Sequence, residues 1–264
     1  MSSTISISEQ PSSVQMSSDD SKQLSQQVSD MQVSENPTPK KLVFCLPGRE
    51  YSRQFLMGWT RLMLSLFQQG HEIVVSQNYS SVVHFARTLC LGGDVLAGAG
   101  QKPFQGKVEY DAIIWIDSDV LFNPQQIVDL INSPHPVTCG MYMMEDLTHF
   151  AAVKEWDTDY FGSKGTFKFL TPKEVEDWAN TTQQRYMPVA YSGMGAMVIK
   201  NGVLEKLSYP WFYRKLEAIA TDDGKVLVDM MSEDVALCKN LQDKGVEIML
   251  DTKTRVGHQK LVVL

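Results

Sequence analysis

The sequence lacks features that would associate the protein with a membrane, with nucleic acid or with zinc. No apolar run approaches the ~20 residues that a membrane-spanning helix needs. The 24 basic residues are outnumbered by 31 acidic ones, and the formal charge of −7 argues against nucleic-acid binding as the main role. The four cysteines form no C-x-x-C pair, which is typical of reduced core thiols in a cytoplasmic protein. Met1 to Ser13 contain no basic patch followed by an apolar block, so we expect no signal peptide.

The first 39 residues differ in composition from the rest of the 264-residue chain. They contain one lysine, five acidic residues, many serines and glutamines, and no aromatic side chain. Such a segment cannot bury enough apolar surface to offset the entropy that it would lose on ordering. We therefore predict a disordered tail over residues 1–39 and a single folded domain over residues 40–264.

Apolar patterning predicts alternating strands and helices over residues 40–143. The predicted elements are strands at 41–46, 72–76, 110–122 and 136–141, separated by helices that start near Ser52, Ser80 and Asn123. The second helix is expected to turn one apolar face inward, made of Val82, Val83, Phe85, Ala86, Leu89 and Cys90. This alternation is typical of a doubly wound, Rossmann-like and mostly parallel α/β sheet.

The pattern changes over residues 144–264 and predicts a mixed α+β half. Residues 149–156 and 166–170 are expected to form antiparallel strands around a turn at Gly162 and Gly165. A short helix should follow Thr171, a glycine-interrupted strand should span 189–199, and a helix should start at Ser232. A strand at 247–251 and the closing segment 255–260 complete the domain.

The motif Asp117-Ser118-Asp119 stands at the end of the most hydrophobic segment of the chain. Acidic residues at the carboxyl end of a buried strand lie where open α/β sheets bind ligands. Two carboxylates at positions i and i+2 project to the same side of an extended chain, so they could share Mg²⁺ or Mn²⁺. The alternative is a solvated loop that caps the next helix. The apolar run before the motif favours the metal site.

Two further candidates come late in the chain. The imidazole of His258 suits Mn²⁺ and could complete an Asp/Asp/His ligand set, although a lone histidine in a late loop is often structural or simply exposed. Glu233 and Asp234 open an apolar helix, where one of them could act as a general base for an acceptor hydroxyl. The alternative is that both acids stabilise the helix amino terminus.

Glycines and arginines supply the remaining candidates. Gly193 and Gly195 interrupt an apolar strand, which indicates either a close approach of the backbone to a ligand or crowding in the core. Arg49 and Arg87 could bind phosphate or a carboxylate, or could extend along the surface.

In their order and spacing these segments resemble the metal-dependent nucleotide-sugar glycosyltransferases of the GT-A fold, particularly the small soluble kind of phages, large viruses and bacteria. The matching segments, within residues 41–260, are 45–49, 85–87, 116–120, 192–193, 232–235 and 256–258. The resemblance implies a single GT-A-like domain with a nucleotide-binding half (40–143) and an acceptor half (144–264). It also implies transfer of a sugar from a nucleotide-sugar to a hydroxyl of a glycan, a protein or a small molecule.

The resemblance assigns roles residue by residue. Asp119 would be the main metal ligand, Asp117 would contact the ion or the ribose, and His258 would be the late metal-binding histidine. Bound Mn²⁺ or Mg²⁺ would stabilise the diphosphate leaving group. Glu233 and Asp234 would lie on the acceptor side, with Asp234 as the base if the reaction inverts configuration. The donor-binding residues would be Pro47, Arg49, Arg87, Asp117, Ser118 and Gly193.

Three other functions remain open from the sequence. A haloacid-dehalogenase-type phosphatase also places D-x-D after an apolar strand, but that class expects Thr or Val where this chain has Leu121. A nucleotidyltransferase would share the sheet and the metal-bound phosphates, but residues 46–49 match its glycine-rich signature poorly. The third is a nucleotide-sugar-binding module without turnover.

Overall fold

A computed structural model describes residues 38–221 and 224–260. From Pro39 onward the described chain belongs to one compact unit. The predicted disordered tail, apart from its last two residues, lies outside the described residues, so the boundary at residue 39 stays a prediction. None of the helices in the described ranges is long and apolar enough to cross a membrane.

The first half alternates strands and helices as the sequence predicts. Its elements are β1 (Lys41–Pro47), α1 (Arg53–Gln68), β2 (Glu72–Asn78), α2 (Val83–Cys90), β3 (Ala112–Ile116), β4 (Val120–Leu121), α3 (Pro124–Ile131) and β5 (Val137–Met141). Local signals set the helix starts: the Ser52 hydroxyl accepts a hydrogen bond from the Phe55 N–H, and Asn123 forms a capping box with Gln126. Short 3₁₀ turns lie at Val95–Ala97 and Pro103–Gly106.

The second half differs more from the prediction. Its elements are β6 (Ala152–Val153), α4 (Thr158–Lys164), α5 (Pro172–Thr182), β7 (Tyr186–Val189), β8 (Tyr191–Ser192), β9 (Ala196–Lys200), a 3₁₀ turn (Leu204–Lys206), β10 (Lys215–Ala220), β11 (Val226–Met231), α6 (Glu233–Asp243), β12 (Ile248–Arg255) and β13 (Gly257–His258). The expected turn at Gly162 and Gly165 is wrong, because α4 occupies that segment and Gly165 is its left-handed C-cap. β7 and the β10–β11 hairpin were not predicted.

Seven strands form the central sheet in the order β2-β1-β3-β9-β5-β12-β7. β1, β2, β3, β5 and β12 run in one direction, whereas β9 and β7 run against their neighbours. The predicted fold class, a mostly parallel α/β sheet followed by a mixed half, is therefore confirmed. It is consistent with the single GT-A-like domain that the resemblance implies.

The sheet is covered on both faces by separate apolar clusters. On one face, residues of α1 and α3 pack on β1 and β3 around Leu62, Ile114 and Ile127. On the other face, α2, α6 and the irregular second half enclose Trp115, Trp211 and all four cysteines. The cysteines are free thiols, as predicted.

The inward face predicted for α2 is only partly correct. Ala86 and Cys90 are buried as expected, but Val82, Val83, Phe85 and Leu89 remain between 38% and 56% exposed. Arg87 and Thr88 are buried in their place. Compared with the prediction, the helix is therefore rotated about its axis, so that the charged side chain of Arg87 points into the protein.

A buried ion pair fixes the edge of the sheet opposite β2. The carboxylate of Asp251 on β12 is fully buried and accepts hydrogen bonds from Arg185 Nε at 2.8 Å and Nη2 at 2.7 Å. The hydroxyl of Thr254 donates a third bond at 2.7 Å, and Arg185 also contacts Asp129 on α3. This arrangement satisfies a buried charge that would otherwise destabilise the fold.

We predict that Arg185→Met lowers the free energy of unfolding by about 3–5 kcal/mol, because it leaves the Asp251 carboxylate buried without its cation. Lys173→Met is the matched control, since Lys173 pairs with Asp177 at 2.7 Å on the exposed surface. This control should change stability by less than about 1 kcal/mol. Urea denaturation measures both values, and equal losses in the two variants would contradict the prediction.

Candidate active site

The carboxyl ends of the parallel strands bring the candidate residues to one edge of the sheet. Gly48 follows β1, Asp117 follows β3, Tyr142 follows β5 and His258 lies just beyond β12. β2 lies on one side of β1 and β3 on the other, so the chain changes direction across the sheet between the ends of β1 and β3. Open α/β sheets bind ligands at such a switch point.

The loops after β1 and β3 touch at this point. A Cβ atom added to Gly48 would lie 2.6 Å from Ser118 Cβ, so only glycine allows this close approach. The Gly48 N–H donates to the carbonyl of Asn78 at 3.0 Å, which fixes the loop to the end of β2. Pro47 is buried at the end of β1, whereas the Arg49 side chain is 72% exposed and lies 5.9 Å from the ring of Tyr79.

The two aspartates of the D-x-D motif point to different partners. The Asp117 carboxylate bonds Arg87, whereas the Asp119 carboxylate bonds His258 and Lys260. The predicted sharing of one cation assumed an extended chain, but the backbone turns at Ser118 and Asp119 and the Val120 N–H donates to the Asp117 carbonyl at 3.1 Å. The alternation of side chains in a strand therefore does not apply here.

Strand pairing brings His258 against Asp119. β13 pairs with β4 so that His258 lies opposite Val120, and the Gln259 N–H donates to the Asp119 carbonyl at 2.7 Å. His258 Nε2 then lies 3.1 Å from Asp119 Oδ2. His258 Nδ1 lies 2.9 Å from the carbonyl of Met143, which can only accept, so this nitrogen carries a proton and Nε2 faces Asp119.

The charged groups of Asp119, His258 and Lys260 shift the pKa values of their neighbours. The hydrogen bond to Asp119 raises the pKa of His258 above its usual value. Partial burial of Asp119 opposes ionisation, but the bonds from His258 and Lys260 outweigh it and lower its pKa to about 2. Asp119 is therefore ionised at neutral pH, and its side chain stays 42% exposed.

A divalent cation could find two protein ligands here, the Asp119 carboxylate and His258 Nε2. Within the described ranges, no group of three His, Cys, Asp or Glu side chains is arranged to hold a metal. Two ligands fit a cation whose other positions are filled by water and substrate phosphate oxygens. The bond from His258 Nδ1 to a backbone carbonyl is the usual support for a metal-binding imidazole.

Arg87 is the most deeply buried charge of the site. Its residue is 3% exposed, and its guanidinium donates from Nη2 to Asp117 Oδ2 at 3.0 Å and from Nε to Glu233 Oε1 at 3.2 Å. The third nitrogen, Nη1, and Asp117 Oδ1 are both buried without a partner among the described residues. The guanidinium also lies 5.7 Å from the ring of Trp115. Arg87 thus joins α2, the end of β3 and the start of α6.

Burial governs the acidic groups around Arg87. Desolvation raises the pKa of Asp117, and the attraction of Arg87 opposes this shift. Desolvation also raises the pKa of Glu233, with a further contribution from the nearby charge of Asp234. Carboxylates on both sides keep the pKa of Arg87 above its ordinary value although burial acts against it.

Asp234 is fixed by three donors from its own half of the protein. The Tyr191 hydroxyl donates to Oδ2 at 2.9 Å, and the Val235 N–H donates to Oδ1 at 2.8 Å. The hydroxyl of Ser232 bonds the same Oδ1, so Ser232 makes no side-chain capping bond to the helix backbone. Asp234 is therefore a positioned carboxylate, and its contact with Tyr191 was not predicted from the sequence.

Tyr142 occupies the centre of the site and was not among the residues predicted from the sequence. Its ring packs edge-on against His258 with centroids 5.0 Å apart. A Cβ added to Gly193 would overlap the Tyr142 hydroxyl, and one added to Gly195 would lie 2.8 Å from the ring. Both glycines therefore make room for Tyr142. The position of Tyr142 directly after a predicted strand was the available signal, as it was for Asp117.

Comparison with known proteins gives a structural similarity only. No protein-family model and no curated protein matches the chain. The crystal structure of A197 from STIV is 16% identical with a TM-score of 0.45, and the match covers 85% of this chain and 96% of that one. GalNAc-T7 with UDP, GalNAc and Mn²⁺ is 11% identical with a TM-score of 0.45, covering 85% and 44%.

A third similar structure is glucosyl-3-phosphoglycerate synthase from Mycobacterium tuberculosis in complex with Mn²⁺, UDP and phosphoglyceric acid. It is 9% identical with a TM-score of 0.39, and the match covers 84% of this chain and 72% of that one. At these values none of the three similarities assigns an activity to this chain.

We predict that Gly193→Ala lowers the free energy of unfolding by about 1–3 kcal/mol, because the new methyl group collides with Tyr142. Gly100→Ala is the matched control, since a Cβ there meets nothing within 4 Å. Tyr142→Phe removes the colliding hydroxyl and should recover part of the loss in the double variant. Urea denaturation of the four proteins measures this coupling, and purely additive losses would contradict it.

We also predict that Arg87→Met destabilises the protein by about 3–5 kcal/mol at pH 7, because it leaves two carboxylates without their buried cation. The pKa values of Asp117 and Glu233 are already raised in the fold. Acid neutralises such groups in the folded state first, so the loss should shrink as the pH falls from 7 to 5. Arg49→Met, at an exposed arginine of the same edge, should change stability by less than about 0.5 kcal/mol at either pH. A loss for Arg87→Met that does not depend on pH would refute the ion-pair explanation.

Proposed function

We propose that the protein is a metal-dependent glycosyltransferase, which moves a sugar from a nucleotide-sugar donor to an acceptor hydroxyl. The observation that supports this best is the pairing of Asp119 with His258 at the switch point of the sheet. An exposed carboxylate and a correctly supported imidazole form a site for a divalent cation where α/β sheets bind nucleotides. Arg87 links the end of β3 in the first half to Glu233 in the second half, so the carboxylates of both halves lie at this site.

The metal site would use Asp119 and His258, and the imidazole favours Mn²⁺ over Mg²⁺. When bound, the cation would neutralise charge on the diphosphate leaving group. Asp117 would not be a ligand in this arrangement, since Arg87 holds it. It would instead fix the loop that presents Asp119. Lys260 bonds the same carboxylate oxygen as His258. When a cation binds Asp119, the Lys260 ammonium group could move to a phosphate of the donor.

The donor nucleotide would lie along the loops after β1 and β3. Pro47, Gly48 and Ser118 would border the nucleotide, and the exposed Arg49 could approach the base or a phosphate. Gly193 contributes indirectly, since it admits the ring of Tyr142. Arg87 is too deeply buried for a direct role in donor binding and would act by holding Asp117.

Asp234 is the better candidate for the acceptor side. Glu233 is buried and bonded to Arg87, which suits a positioning role. Asp234 is less buried and is aimed by Tyr191 and Ser232, so it could orient an acceptor hydroxyl or accept its proton in an inverting reaction. The acceptor class and the cytoplasmic location expected from the cysteines stay predictions.

The phosphatase alternative fits the geometry less well. Its nucleophile would be Asp117, but one oxygen of that carboxylate bonds Arg87 and the other is buried. A nucleophile must reach a phosphorus atom at the surface of the site. A nucleotidyltransferase and a binding module without turnover would use the same edge of the sheet, and turnover distinguishes both from a glycosyltransferase.

We expect Asp119→Ala and His258→Ala each to weaken Mn²⁺-dependent binding of nucleoside diphosphates at least tenfold. Isothermal titration with UDP, GDP, CDP and ADP, with Mn²⁺ or with EDTA, measures the effect and identifies the base. Asp146→Ala is the matched control, because Asp146 pairs with His149 at 2.6 Å in another Asp–His contact. Unchanged binding in Asp119→Ala would refute the metal site.

Turnover assays with the intact protein distinguish the alternatives. A glycosyltransferase should slowly hydrolyse the matching nucleotide-sugar, with water as acceptor, and should need Mn²⁺. A phosphatase would hydrolyse p-nitrophenyl phosphate instead, and a nucleotidyltransferase would release pyrophosphate from a nucleoside triphosphate. Binding without any of these reactions would leave the non-catalytic module.

A further inference from the structure

The outer side of α2 is apolar and exposed. Val82, Phe85 and Leu89 are spaced by three and four residues, so they form one stripe on the helix, and they are 38%, 56% and 45% exposed. The Arg87 side chain extends from the opposite side of the helix and bonds Asp117 at the end of β3. The stripe therefore lies on the flank that faces away from β3, toward the β2 side of the sheet. The apolar pattern that predicted an inward face has no cover there within the described chain.

β2 is the edge strand beside this stripe. Its register with β1 is unbroken over all seven residues, and the described chain supplies no strand to its other side. Val74 and Val75 in its centre are 38% and 48% exposed. The strand EIVVSQN contains no proline and no lysine, and it has no bulge. Natural edge strands that must stay unpaired commonly carry a proline, a lysine or a bulge. Because β2 has none of these, its open edge can pair with another strand.

The other face of the same edge is also apolar. Leu56, Met63 and Phe67 lie on one flank of α1, and Leu56 and Phe67 are 58% and 60% exposed. Met63 on this flank packs in the same cluster as Ile73 of β2. Exposed apolar stripes therefore border β2 on both faces of the sheet. We call β2 with the stripes of α1 and α2 the β2 edge surface.

We infer that the β2 edge surface binds a second copy of this chain, by antiparallel pairing of β2 with β2 about a two-fold axis. An axis perpendicular to the sheet continues each face into the same face of the second copy. The α2 stripe would then meet the α2 stripe, and the α1 stripe would meet the α1 stripe. This isologous contact satisfies the open strand edge and covers both apolar stripes together.

The charges of the strand permit self-pairing. With Val75 opposite Val75 at the centre, Glu72 lies opposite Asn78 of the second copy and no like charges face each other. The alternative of a heterologous partner strand would have to match the apolar residues on both faces at once. A copy of the same chain matches them by symmetry.

The surface is large enough for a stable dimer. Typical side-chain areas and the exposed fractions of the seven apolar residues give roughly 600 Å² of apolar surface per chain, whereas a standard partner contributes about 800 Å², little more than half of it apolar. The exposed strand edge adds polar area on top of this. The contact is therefore of the size of an ordinary specific interface.

Light scattering after gel filtration of the full chain tests the proposal. We expect a mass twice the 29.7 kDa of one chain. Val75→Lys would place two ammonium groups opposite each other at the centre, and Phe85→Lys would charge the α2 stripe. Each should weaken the dimer at least tenfold. Val228→Lys is the matched control, because Val228 on β11 is 67% exposed and lies outside the surface.

A cysteine variant tests the register independently of stability. Under mild oxidation, Val75→Cys should form a disulfide between two chains, whereas Val228→Cys should not. The four native cysteines are buried and should not react. Circular dichroism establishes that the variants fold. A monomeric wild type, a dimer that survives both lysine substitutions, or cross-linking at position 228 but not at 75 would overturn the inference.

Discussion

A single buried cation joins the two halves of the candidate site. Arg87 enters from α2 in the first half and bonds Asp117 at the end of β3 and Glu233 at the start of α6. The guanidinium keeps its charge at any physiological pH and its donors lie in a fixed plane, so both carboxylates are held in defined directions. The turn that presents Asp119 and the helix that presents Asp234 are positioned through this contact. The rest of the site depends on the orientation of α2, in which Arg87 is buried and Leu89, predicted to face inward, is exposed.

Local signals in the sequence predict the helices and strands of the first half better than those of the second half. Caps such as Ser52 and Asn123 and short apolar runs identify the elements of the first half, because these features act within a few residues. The second half depends on contacts between distant segments, and α4 has one buried residue, Phe161, so it has no apolar period to detect. The β10–β11 hairpin was not predicted because its exposed positions include the apolar Leu216 and Val228, so the alternation in exposure does not follow the polar and apolar letters.

The site could be predicted only in part. The end of a buried strand marks Asp117 and Asp119, but the turn at Ser118 separates their side chains, and spacing alone does not report such a turn. The approach of His258 to Asp119 follows from the pairing of β13 with β4, which has no local signal. The prediction that the apolar face of α2 points inward was wrong for another reason. Apolar periodicity indicates that a face is covered, but it does not indicate whether the same chain or another molecule covers it.

The contact between Asp119 and His258 spans 139 residues of sequence. β12 returns the chain to the central sheet between β5 and β7, and β13 follows it after one residue, so this contact forms only when the end of β12 has joined the sheet. The strand pairs of the central sheet already close most of this separation, so the contact orders only the few residues that follow β12. A local opening at the end of β12 would thus abolish affinity for a metal ion while the rest of the sheet stays folded.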